Sequence, residues 1–240
     1  MNKVYLYDGR YSSLLKLILT LVEHHIIPSD IKSEEEYQNN LLDEPVYLNI
    51  DNKIILNNKI VNICYYAFLC EATNKEYVIY EFILEFYKYG ESVIYHRELD
   101  CVNKIISLSH KVRTDAHHMK GFLRFKKMQH FYYAEMEPSN NIIWIITKHF
   151  RERLKNEMWI IKDVKRNIYA LYDTKKVTYL KKSDVVKLNL DMHNEEELFE
   201  DLWKTFFKTI AIKERENKKC QMNFMPKKYW NHMIEMENEE

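Results

Sequence analysis

Glycine is nearly missing from this chain: only Gly9, Gly90 and Gly121 occur in 240 residues. Loops that cradle phosphates in P-loop or dinucleotide-binding folds need two or three glycines close together, so the wide separation of these three excludes both. The four cysteines, Cys64, Cys70, Cys101 and Cys220, form no C-x-x-C pair. A zinc or iron–sulfur centre built from a local motif is thereby excluded, and the expectation is reduced, mostly buried thiols with no metal or cofactor. Long apolar runs are absent too. The longest, Leu14 to Val22, is interrupted by Lys16 and is too short to span a bilayer. Residues 1–10 hold charges and Gly9 in place of an apolar leader. A cytoplasmic protein without a membrane partner is expected.

What is present is charge of uneven sign. The formal net charge is zero, with 36 Lys/Arg and 36 Asp/Glu. Residues 1–110 carry 10 Lys/Arg against 16 Asp/Glu, whereas residues 111–170 carry 13 against 6. A basic centre between acidic ends is the pattern of a face for an anionic partner, although a lysine-rich solvated surface has the same composition.

Periodicity gives an α+β reading. A strand at Val4–Leu6 ends at Asp8-Gly9, and a helix follows over 12–25 with Ser12 or Ser13 as its cap. Residues 28–44 read as a solvated loop with one short helix, and Pro45–Ile50 as a strand. Three helices are predicted between Asn58 and His118, with Gly90 as a C-cap between the second and third. After Gly121 the period shortens to two. Strands are predicted at 122–125, 131–137, 159–163, 168–172 and 177–180, with a helix over 142–154 and turns at Asn167 and Asp173. Asn194 starts a further helix with Leu198, Leu202, Phe206 and Ile210 at i, i+4 spacing. The expected architecture is a mainly helical N-terminal region, 1–115, and a basic α+β region, 116–240. An antiparallel β core would occupy the middle, with C-terminal helices packed on it.

Four local groups could carry chemistry. The first is His117, His118, Lys120 and Arg124 around Gly121, where cations alternate with aromatic rings, as suits phosphates and stackable bases. Gly121 itself reads as a helix C-cap. The second is His149 with Arg153, one helical turn apart and able to clamp a phosphate together; such cations also stabilise a helix C-terminus without any ligand. The third is Asp163 with Lys165 and Arg166, where the aspartate could orient an arginine, ligate Mg²⁺ or form a surface pair. The fourth is Lys213, Arg215 and Asn217, followed by Lys227, Lys228, Tyr229 and Trp230. Trp230 could stack on a base or pack the chain end onto the core.

In this order the groups resemble an uncharacterised bacterial family associated with DNA metabolism and repair. The matching segments are Tyr7-Asp8-Gly9 with Tyr11, His117-x-Met119-Lys120-Gly121-Phe122 with Arg124-Phe125, and Ala134 with Pro138. They continue through His149-Phe150 with Arg153, Trp159-x-Ile161 with Asp163 and Arg166, Leu202-Trp203, Ile210–Lys213 with Arg215 and Asn217, and Met225-Pro226. That family usually has arginine where this chain has His118. Its members look like stand-alone partners of a radical SAM protein, and a related domain follows uracil-DNA glycosylase-like domains. What the resemblance implies is a genomic and functional association with DNA; the leading reading of the residues beside it is a DNA-binding accessory protein in which Lys120, Arg124, His149, Arg153, Lys165, Arg166, Lys213 and Arg215 would hold phosphates or a flipped nucleotide. Two other classes stay open. A hydrolase could use Glu135, Glu137, Asp163 and Lys165 around Mg²⁺, or Asp163 as base with His149 at the leaving group. A scaffold could present the basic centre to the radical SAM partner.

Overall fold

A computed structural model describes residues 2–48, 56–128, 131–181 and 222–233. The chain divides into two compact units, 1–113 and 114–240, and the division falls within one long helix.

The first unit opens with β1 (Asn2–Tyr7), whose last four residues are buried. It leads through α1 (Tyr11–Glu23) to β2 (Asp30–Ser33), which pairs parallel with β1. A parallel pairing needs such a crossover. β3 (Asp43–Val46) pairs parallel on the other side, giving the order β2-β1-β3. The N-terminal region is therefore not simply helical: the solvated loop expected within 28–44 is present over 34–42, but two short strands flank it and no helix forms there. Asp30–Ser33 hides its strand character behind charge: only Ile31 and Ser33 point inward, while Asp30 and Lys32 pair with each other at 2.9 Å. The third strand also begins two residues earlier than its apolar residues suggest.

α1 carries seven buried residues from Leu14 to Val22 and packs against β1 and α3 (Lys75–Tyr89). Its cap position is Arg10 rather than either serine; the Asp8 carboxylate accepts the Arg10 N–H at 3.0 Å. α2 (Asn58–Phe68) is capped by Asn57, whose side chain accepts the Lys59 N–H. The three helices expected between 58 and 118 are α2, α3 and α4 (Asp100–Phe122). At the end of β1, Tyr7 donates to Glu76 Oε1 at 3.0 Å, and burial pushes the Glu76 carboxyl above its ordinary range. Cys64, Cys70 and Cys101 are free and buried; Cys220 lies outside the described residues.

The second unit is built on a five-stranded sheet, β4 (Lys126–Lys127), β5 (Tyr132–Met136), β6 (Trp159–Asp163), β7 (Ile168–Tyr172) and β8 (Val177–Lys181), in sequential order. It is mixed, which corrects the antiparallel expectation. β5 and β6 run parallel because α5 (Ile143–Arg153) carries the chain across between them, while the other neighbours are antiparallel. The strand expected at 122–125 is also displaced. α4 continues through Gly121 to Phe122, so Gly121 is a helical residue and not a C-cap, and the strand that follows is only Lys126–Lys127.

Register places Trp159 between Tyr132 and Tyr172, and Ile161 between Ala134 and Ala170. These positions share one face by the two-residue period. α5 covers that face, with Ile143, Ile146, Thr147 and Phe150 buried. Trp159 is fully enclosed and stacks on Tyr172 at 5.1 Å; truncating such a side chain to alanine costs about 3–5 kcal/mol. The turns fall where predicted. Asn167 takes a positive φ of 52° between β6 and β7, and the Asp173 carboxylate accepts the Lys175 and Lys176 N–H groups before β8. The helix expected from Asn194 lies outside the described residues.

Two of the three glycines separate by conformation. Gly90 ends α3 at φ 61° and ψ −146°, a region essentially closed to side chains. Gly121 is helical with open space around its Cα. Gly90→Ala is therefore expected to lower stability by about 1–3 kcal/mol. Gly121→Ala is expected to raise it by about 0.5 kcal/mol. Urea denaturation of the two variants checks both signs.

Candidate functional site

The chemistry-bearing residues of the second unit gather around the last two turns of α4, the whole of α5 and a short 3-10 helix, Lys227–His232. The last turns of α4 alternate between inside and outside. Val112, Asp115, Ala116 and Met119 are buried, while His117 and Gly121 are exposed and Lys120 is half-buried.

Asp115 is the acid in this stripe, only 2% exposed. Its Oδ2 accepts the Asn140 N–H at 2.9 Å and the Asn140 side-chain amide at 3.1 Å; its Oδ1 accepts Lys228 Nζ at 3.1 Å and the Tyr229 hydroxyl at 2.5 Å. Burial alone would raise this carboxyl. The bonds from Tyr229, Asn140 and Lys228 outweigh burial and hold it below the ordinary aspartate value. Lys228 also donates to Ser139 Oγ at 3.0 Å.

A second enclosed carboxylate, Asp163, sits at the end of β6 with no exposure. It accepts the Arg166 N–H at 3.1 Å and Arg166 Nη1 at 3.0 Å. The same guanidinium reaches the carbonyls of Pro138 and Ser139 at 3.3 and 3.1 Å. Two buried acids and two cations thus pin the loop at 138–140. Asp163 and Arg166, read from the sequence as catalytic and phosphate-binding candidates, are engaged here in holding that loop.

The carboxylates considered for Mg²⁺ do not converge. Glu135 accepts Lys162 Nζ at 2.8 Å and the Tyr133 hydroxyl at 2.6 Å. Asp163 pairs in register with Met136, one residue on, and so belongs to the opposite face of the sheet. β5 ends at Met136, which leaves Glu137 exposed beyond the strand. Among the described residues no three His, Cys, Asp or Glu side chains cluster tightly enough to hold a metal ion. Glu135 and Glu137 instead line a recess of about 10 Å³, room for one water-sized group, together with Met119, Phe122, Lys228 and Tyr229.

The second sequence group does meet the first. His149 and Arg153 stand one turn apart near the end of α5, and Phe125, just after α4, packs edge-on against Phe150 at 4.9 Å. Partial burial, then the charges of Lys120 and Arg153, push the His149 imidazole below its ordinary value, with Glu152 opposing them. Lys120 and Arg153 form no ion pair among the described residues. Imidazole, ammonium and guanidinium from two helices thus converge without a carboxylate clamped to either permanent cation.

The remaining candidates are dispersed or engaged. Arg124 Nη1 donates to the Gly121 carbonyl at 2.8 Å. Lys165 is exposed in the β6–β7 turn. Lys227 lies over the Trp230 ring, whose Nε1 donates to the Met225 carbonyl at 2.9 Å; the indole is half-buried. His118 packs its ring against Phe122 and Tyr229 at 5.8 and 5.7 Å, and burial lowers its pKa, so it is a packing residue. Lys213, Arg215 and Asn217 lie outside the described residues. Asp115 and Asn140 escaped the sequence reading. The signal for Asp115 was a lone acid at i+3 on the apolar stripe Val112, Ala116, Met119 of a basic segment.

Asp115→Asn is expected to cost about 3 kcal/mol, because it leaves Lys228 and Tyr229 facing an amide in a buried site. Tyr229→Phe is expected to cost about 1 kcal/mol. Since the folded pKa of Asp115 lies below its unfolded value of 3.8, its contribution is complete above that value and is lost as pH falls through the folded one. Urea titrations between neutral and acid pH check both points: Asp115→Asn should lack this part of the acid destabilisation.

A family model described as a domain of unknown function, DUF4130, matches residues 73–235, which include every residue of the site. No curated protein and no solved structure matches the chain. The match covers more than half of the sequence, and the chain belongs to the DUF4130 family.

Proposed function

We propose that this chain is a DNA-binding accessory protein, holding the phosphate backbone on the cationic ends of α4 and α5 and working beside a radical SAM protein in repair or modification of DNA. The observation that supports it most is the division of the basic residues. Arg166, Lys228 and Lys162 answer carboxylates at 3.0, 3.1 and 2.8 Å, whereas Lys120 and Arg153 both lie within electrostatic range of His149 and neither forms an ion pair among the described residues. Like charges held together cost energy unless an anion joins them, and a phosphate between them recovers it. The order of motifs shared with a DNA-associated family supports the radical SAM partner and the link to non-standard DNA. The geometry does not favour a metal-dependent nuclease, because Glu135 and Asp163 occupy opposite faces of the sheet.

DNA affinity should fall steeply with salt, and the double variant Lys120→Glu/Arg153→Glu should flatten log Kd against log salt by about 1–2. Fluorescence anisotropy with a labelled oligonucleotide reads this; an unchanged slope contradicts the site. A phosphate beside His149 raises the imidazole pKa from its lowered free value, so binding takes up a proton and tightens as pH drops from 8 toward 6. His149→Gln should remove that pH dependence. Absence of any DNA affinity, combined with tight binding to the radical SAM partner, would replace this reading with a scaffold.

A further inference from the structure

The flank of α5 that borders its buried side beside β8 carries a second constellation. Trp144, in the first turn of α5, remains 39% exposed. Its ring centroid lies 3.8 Å from that of Tyr179 on β8, tilted by 42°. Tyr179 is fixed in turn: its hydroxyl shares a 2.7 Å hydrogen bond with Thr147 Oγ1, and Thr147 is buried on the inner side of α5. The indole thus rests on a ring anchored to the helix, so it is supported by protein on one side while part of the residue meets solvent. An aromatic kept rigid and open in this way loses little conformational entropy when a second flat group lies on it.

The surroundings specify the charge of that group. Lys148 and Arg151 follow Trp144 at i+4 and i+7, on the same side of the helix. Both are exposed and form no ion pair among the described residues. Arg151 lies close enough to Tyr179 to oppose the rise that burial gives its pKa. A protein partner's apolar patch would satisfy the ring but leave two cations unanswered. A strand of unpaired nucleotides answers both, with a base on the indole and phosphates on the cations.

We infer that Trp144, backed by Tyr179 and flanked by Lys148 and Arg151, is a stacking platform for an unpaired base of single-stranded DNA. This rests on the DNA-binding reading above and narrows it: the ends of α4 and α5 contact phosphates of any DNA, whereas the Trp144 face selects strands whose bases are free. Duplex DNA keeps its bases stacked on one another and cannot use the platform.

The test compares three oligonucleotides of about twelve nucleotides: a thymidine strand, an abasic strand with the same phosphates, and a blunt duplex. The full chain should bind the thymidine strand roughly tenfold more tightly than the abasic one. Trp144→Leu should bring that ratio to about one with an unchanged salt slope, and Trp144→Phe should retain part of it. Thermal melts of both variants confirm that they fold. A ratio near one in the unsubstituted protein, or a ratio that survives Trp144→Leu, overturns the platform while leaving phosphate binding intact. Failure to bind any of the three at low salt removes the DNA-binding reading and the platform with it.

Discussion

The second unit depends on one constraint: a carboxylate taken out of water must be fully hydrogen-bonded. Asp115 meets it with four donors drawn from the loop after β5 and from the 3-10 helix at 227–232. Those donors are more than twenty and more than one hundred residues away in sequence. An unpaired carboxylate at that position would cost several kcal/mol, so the loop at 138–140 and the segment around Tyr229 are held to α4 by the penalty of letting go. Asp163 imposes the same condition from the end of β6, and Arg166 meets it while gripping the same loop. With that loop fixed, α5 starts at a defined place, and its cationic end is brought beside Lys120.

The two acids also divide the basic residues into two sets. A basic sequence region is ambiguous, because cations serve both to neutralise buried acids and to attract external anions. In this chain some cations answer buried acids and others form no ion pair among the described residues. Lys228 and Arg166 belong to the interior network, and Lys120, Arg153, Lys148 and Arg151 lie outside it. The fold thereby sets a neutralised framework beside four cations, Lys120, Arg153, Lys148 and Arg151, that form no ion pair among the described residues.

Much of the framework was legible in the sequence. The helices α1, α2, α3 and α5 and the strands β6, β7 and β8 carry apolar periods that the structure reproduces within a residue or two. β2 was illegible because its outward positions are an Asp–Lys pair and its length is four residues, too short for alternation to stand out. The parallel pairing of β5 and β6 was implicit in the helix predicted between them, since a helix-long connection cannot serve as a hairpin. Gly121 misled because glycine in a basic, aromatic stretch suggests a helix end, yet with no side chain required there α4 simply runs on for another residue. At the site, His149 with Arg153 followed from i, i+4 spacing, and their meeting with Lys120 did not, because it depends on Phe125 packing on Phe150. Asp163 looked catalytic for the reason it is structural: an acid beside an arginine has the same sequence signature in both roles.

Lysine labelling with an amine-reactive reagent, read by mass spectrometry with and without single-stranded DNA, tests the division of cations most directly. Lys120 and Lys148 should be modified in the free protein and protected when DNA is bound, while Lys228, engaged with Asp115 in both states, should label equally with and without DNA. Equal labelling of Lys120 and Lys148 in the presence and absence of bound DNA would contradict the account.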